Sequence, residues 1–181
     1  MSDIYVPIDF SDLKSVIPPG EDIIYSTLAR GETPIGTTIT GSKVKYVKYI
    51  SHILMTPNGV AYTVPTKKPK KEPPVKRYTP WGEIHGIASA GKLGTGFSIS
   101  LTLPFKLVRE ENFETKESFE KRSKEFVAKF RPLIIEKKEE WLRQNRNNPE
   151  IKKREIKMAE KVLAKMKSWE NKRLAKEAKK K

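Results

Sequence analysis

Cysteine is absent from the 181 residues, which excludes a disulfide framework, a thiolate nucleophile and a cysteine-ligated metal site together. Histidine is nearly as scarce. The two present, His52 and His85, have no acidic cluster beside them, so a metal centre would need ligands from distant loops; both read as packed or surface side chains. No apolar run approaches the ~18 residues of a membrane span, and the start MSDIYVPIDFSD lacks the cationic and continuous apolar regions of a secretory signal. A cytoplasmic protein is expected.

Catalytic candidates are missing too. Gly91, Gly94 and Gly96 in GKLGTG superficially suggest a phosphate-cradling loop, but they lead into a strand where that device needs a helix amino terminus. They read as a hairpin turn. Ser98 and Ser100 have no base at a telling distance and read as solvated. The expectation is a non-enzymatic protein with no catalytic residues, no cofactor, no metal and no small-molecule substrate.

What the chain has is positive charge. Thirty-seven Lys and Arg against 22 Asp and Glu leave a net charge of +15, which makes an anionic partner the default. Both halves contribute: residues 1–109 carry 14 basic and 8 acidic side chains, and the rest 23 and 14. Heavy Lys and Glu use with one Gln fits a thermophilic composition, in which ion pairs gain value on heating; biased codon usage produces the same pattern.

Residues 1–21 form a lead-in that ends on Pro18, Pro19 and Gly20, after which Asp22 to Ala29 predicts a first strand followed by a glycine-bearing loop. Lys43 to Thr56 and Val60 to Val64 predict a hairpin around Pro57-Asn58-Gly59, where Asn-Gly readily supplies positive backbone angles. The alternation shifts phase between Val44, Tyr46 and Val47, Tyr49, which points to a bulge or to burial on both faces. Residues 66–77, with three prolines and six positive charges, predict an exposed loop without ladder or core. Glu83 to Ala88 predicts another strand, and the alternation of Phe97, Ile99, Leu101 and Leu103 a half-buried one, with Phe105 to Val108 as an extension after Pro104.

From about Thr115 the period becomes helical through Phe119, Ser123, Phe126, Phe130, Leu133, Ile134 and Trp141. Pro132 inside that run predicts a kink, with the segment before it on the sheet and the segment after it leaving. Asn148-Pro149 marks a second helix start, and Ile156, Ala159, Leu163 and Met166 form a seam widened by Val162, Trp169 and Leu174. That helix either folds back as an antiparallel hairpin or extends as an arm. The expected organisation is a lead-in (1–21), an α+β domain with its helix (22–131) and a basic helical extension (132–181).

The succession of HILMTPNGVAYTV, YTPWGEIHGI and GFSISLTL before an amphipathic helix resembles the pleckstrin-homology-like fold, especially its bacterial and archaeal branch. The resemblance implies a small, partly open antiparallel β-barrel or sandwich capped by an α-helix. Arg30, Lys43 and Lys45 fall where phosphoinositide-binding members carry basic residues; Lys45 replaces the arginine whose fork grips phosphate bidentately, so lipid specificity is not carried over.

Three basic concentrations make up the expected binding surface: Lys67, Lys68, Lys70, Lys71, Lys76 and Arg77 in the loop; Lys152, Lys153 and Arg154 at the last helix start; and Lys172, Arg173, Lys176, Lys179, Lys180 and Lys181 at its end. The favoured partner is RNA, DNA or a ribonucleoprotein surface, held by phosphate contacts without much sequence preference. The alternatives are an anionic membrane, with Trp169 and Leu174 dipping into it, and a protein partner or homodimer.

Overall fold

The computed structural model describes residues 4–5, 10–37, 44–64, 66, 72–88, 95–100, 103–109 and 114–179. The chain is α+β: seven strands form a curled antiparallel half-barrel, followed by two long helices. The strands are β2 (Tyr25–Thr37), β3 (Val44–Met55), β4 (Gly59–Val64), β5 (Val75–Pro80), β6 (Gly86–Ala88), β7 (Gly96–Ser100) and β8 (Leu103–Leu107). Their order is β5-β4-β3-β2-β8-β7-β6, with a short β1 (Ile4–Tyr5) parallel to β3. The two meanders meet where β2 pairs with β8 across Ala29–Gly31.

β2 runs well past the expected Ala29, through the segment expected as a loop, because it pairs with β3 along almost its whole length, from Tyr25↔Met55 to Thr37↔Val44. Gly31 is needed there: a Cβ on it would lie 2.5 Å from the buried Tyr49 ring. Pro34 is accommodated by a register shift between Pro34 and Gly36. The irregularity expected between Val44 and Tyr49 lies opposite this shift, which falls between the pairs Pro34↔Tyr46 and Gly36↔Lys45; at the end of β3, Ile53 and Met55 join the main core while Leu54 packs with Leu13 of α1 (Phe10–Lys14) and Ala61.

Four further expectations change. The β3–β4 hairpin is present, but neither Asn58 nor Gly59 has a positive φ; instead the Thr56 hydroxyl accepts from the Asn58 and Gly59 amides at 3.2 and 3.0 Å. The expected loop 66–77 ends early, since β5 pairs with β4 from Val64↔Val75 onward and puts Lys76 and Arg77 on a strand. The segment expected as a strand from Glu83 opens with a 3₁₀ turn, Trp81–Glu83, and joins the ladder only from Gly86. The alternating run Phe97 to Leu103 is not one strand but the two arms β7 and β8, with Phe97 opposite Phe105 and the rings stacked at 5.2 Å. An apolar alternation continues in phase across a turn, so periodicity alone does not reveal the reversal.

α2 (Lys116–Asn145) starts on Thr115, whose hydroxyl accepts from the Ser118 amide at 3.1 Å. It is continuous through Pro132, and the segment beyond does not leave: Ile134 is fully buried in the main core and Leu142 in a second cluster. Phe126, Phe130 and Ile134 recur every four residues and fill the half-barrel, Phe130 meeting Trp81 at 5.6 Å. Each such side chain stabilises the fold by about 1.5–3 kcal/mol of apolar burial.

α3 (Lys153–Ala178) starts four residues after Pro149, because Asn148 instead closes a turn by accepting from the Glu150 amide at 3.0 Å. Of the two readings of the tail, the hairpin is the one realised. α3 runs antiparallel to α2, tied by Arg146–Glu160 at 2.7 Å, Lys167–Glu139 and Arg131–Glu170 at 3.5 Å. Ile156 and Ala159 cluster with Leu142, and Met166 reaches the main core. Truncating Met166 to Ala is therefore expected to cost about 2–5 kcal/mol of global stability in denaturant unfolding; a change within error would show that α3 is not part of the cooperative core.

Candidate functional site

α3 turns about 100° per residue, so its residues can be sorted by direction. Ile156, Ala159, Met166 and Glu170 are buried on one side. On the opposite side Arg154, Lys157, Lys161, Lys165, Lys172, Lys176 and Lys179, with Ser168 between them, fall within roughly a 100° sector, and all eight are exposed. This stripe of seven cations spans about 38 Å at 1.5 Å per residue. The acids of α3 are kept off it. Glu160 pairs with Arg146, Glu170 with Arg131 and Arg173, and Glu177 with Arg173 at 2.7 Å.

Within the stripe, Lys157, Lys161 and Lys165 repeat at intervals of four, and like charges at that spacing weaken a helix by about 0.2–0.5 kcal/mol per pair. Lys152, Lys153 and Arg154 stand at the positive end of the helix dipole, where Lys152 caps without a side-chain hydrogen bond. The packed seam thus holds α3 helical against the repulsion on its outer face.

The basic side chains expected to bind are dispersed by the fold. Arg154, Lys172, Lys176 and Lys179 lie on the stripe, which also recruits Lys157, Lys161 and Lys165. Lys152 and Lys153 are exposed at the start of α3 but off its line. Arg173 turns inward to Glu170 and Glu177. Lys76 donates to Asp12 of α1 at 2.6 Å, and Arg77 is exposed beside it on β5, at the opposite end of the strand order from β6, against which α3 packs. Lys67, Lys68, Lys70, Lys71, Lys180 and Lys181 lie outside the described residues, as do Gly91 and Gly94.

No family model, curated protein or solved structure matches this chain. The surface therefore has to be interpreted from its own chemistry. Among the described residues, no three His, Asp or Glu side chains come together as metal ligands, and no helix is long and apolar enough to cross a membrane.

Two cations are buried rather than displayed. Arg131, 2% exposed, has Glu170 at 3.5 Å and the Trp169 ring 5.8 Å away, while its Nε and Nη2 lack partners. Burial lowers its pKa, partly offset by Glu170. Lys138, 3% exposed, donates to the Gly82 carbonyl at 2.7 Å. Gly82 must lack a side chain for this approach, since a Cβ would lie 2.8 Å from Trp141. Lys138 extends the row Phe126, Phe130, Ile134 toward Leu142, and that four-residue spacing is the signal that could have marked it as buried.

Burial pushes the Lys138 pKa down to about 8, with Glu83 opposing, and both burial and the Lys138 charge lower His85. Because the folded state binds this proton less tightly than the unfolded state, Lys138 destabilises the fold below pH 8 and the penalty is relieved as pH rises toward 10. Tyr49 and Tyr78, both held protonated by burial, reverse the trend only above about pH 10. Thermal unfolding of the wild type is expected to show stability rising between pH 8 and 10, and in Lys138→Met that rise should disappear; an identical profile in both would refute the assignment.

Proposed function

We propose that this protein is a non-enzymatic binding module for nucleic acid, RNA or DNA, free or on a ribonucleoprotein surface, with α3 as the phosphate-contacting element. The observation that carries this reading is the segregation on α3: seven exposed cations share one face while Glu160, Glu170 and Glu177 are held in ion pairs away from it. A polyanion relieves the repulsion among those cations and releases its own counterions. Six of the seven are lysines, flexible point charges that favour backbone contact over base readout.

Membrane attachment is the weaker reading because its aromatic anchor is in use. Trp169 is half-buried, with Arg131 and Lys165 both against its ring, the latter at 4.9 Å. Of the described side chains only Val75 and Leu174 are large, apolar and exposed, too little apolar surface for insertion.

We read the half-barrel itself as pleckstrin-homology-like. Supporting this are the order of its two meanders and the helix α2, which plugs one side of the barrel through Phe126, Phe130 and Ile134. In this scheme the barrel is a scaffold that holds α2, and α2 holds α3.

The test is the salt dependence of binding to a mixed-sequence oligonucleotide. Log affinity should fall with log salt with a slope between about −3 and −6, given 0.7–0.9 per neutralised phosphate. Replacing Lys157, Lys161 and Lys172 together by Ala should reduce that slope by about 2–3 without loss of helicity. A salt-insensitive complex, or a slope unchanged in the triple variant, would overturn the proposal.

A further inference from the structure

We infer that the α3 stripe selects duplex nucleic acid over single strands, an inference that rests on reading α3 as a nucleic-acid-binding face. Binding single strands without sequence preference generally relies on aromatic rings on which successive bases stack. Here the aromatic side chains of α2 and α3 are all buried or half-buried, and the ring nearest the stripe, Trp169, has Arg131 and Lys165 against it. Affinity must then come from charge alone. Charge favours the duplex, which carries one phosphate per ~1.7 Å of axis, where a lone strand carries far fewer per unit length.

Rigidity acts in the same direction. Ion pairs at Glu160, Lys167 and Glu170 and the burial of Met166 fasten α3 to α2 through its middle. The stripe, carried on one continuous helix, is about 38 Å long, close to one duplex turn of ~34–36 Å. A duplex is stiff over ~150 base pairs and meets such a line without ordering cost. A flexible strand must be straightened to follow it, and the site returns no stacking energy for doing so. With a single arginine on the stripe and lysines elsewhere, both DNA and RNA duplexes are accepted through their phosphates.

The experiment is fluorescence anisotropy of the full chain at ~100 mM salt with a 24-base-pair mixed-sequence DNA duplex, the RNA duplex of the same sequence, and their separate non-self-complementary strands. Both duplexes are expected to bind about tenfold or more tighter than the single strands, given the difference in charge density. Single strands that bind as tightly as the duplexes would overturn the strand selectivity while leaving the nucleic-acid reading intact. Failure of every one of these probes to bind, or binding unaffected by Lys157→Ala/Lys161→Ala/Lys172→Ala, would overturn both. A second variant tests the cause. Ser168→Trp places a ring on the stripe and is expected to raise single-strand affinity at least about fivefold, as one stacked base allows, with duplex affinity little changed; an unaltered single-strand affinity would overturn the stacking argument.

Discussion

The seam between α2 and α3 is the contact on which the outer surface of this protein depends. A helix with thirteen basic residues in and around it has little reason to stay helical in water, since its lysines repel at intervals of four and its amino terminus carries cations against the helix dipole. Ile156, Ala159 and Met166 on one side supply the missing stability by burial. Once that side is committed, the direction of every other residue on α3 is fixed, and the cations are left in a line facing solvent.

The seam in turn depends on α2, and α2 on the half-barrel. Its four-residue row drops Phe126, Phe130 and Ile134 into the sheet and then places a lysine where the pattern calls for an apolar residue. Lys138 is tolerated because the Gly82 carbonyl meets its ammonium and Glu83 opposes the loss of its charge. Arg131 is held less completely. Two of its nitrogens lack partners and its carboxylate stands at 3.5 Å, so removing Glu170 would leave a buried charge uncompensated, at a cost on the order of 3–5 kcal/mol. Buried ion pairs of this kind contribute little net stability but penalise any other register of the two helices.

Much of the architecture could be read in advance, and the misreadings have physical causes. The hairpin at Pro57-Asn58-Gly59 was visible from composition, but its turn is built by the Thr56 hydroxyl and needs no positive φ. The division of Phe97 to Leu107 into two strands was hidden because apolar alternation stays in phase across a tight reversal. Pro132 predicts that the rest of α2 leaves the sheet, but the packing of Phe130 and Ile134 on either side of it outweighs one missing backbone hydrogen bond and keeps the segment on the core. Density of charge along the chain marks the basic clusters but not Lys157, Lys161 and Lys165, which are spaced one turn apart, and it includes Arg173, which serves Glu170 and Glu177.

The amino-acid sequence by itself determined the net charge and the class of fold. Net charge is a sum over residues and strand or helix character a local periodicity, and neither needs to know what lies across the molecule. Which cations could act together was decided only by the tertiary structure. A helix has a solvent face only after another surface has taken the opposite one, and it was the docking of α3 on α2 that left seven cations aligned outward. Lys76, with its partner Asp12, stayed at the other end of the sheet order.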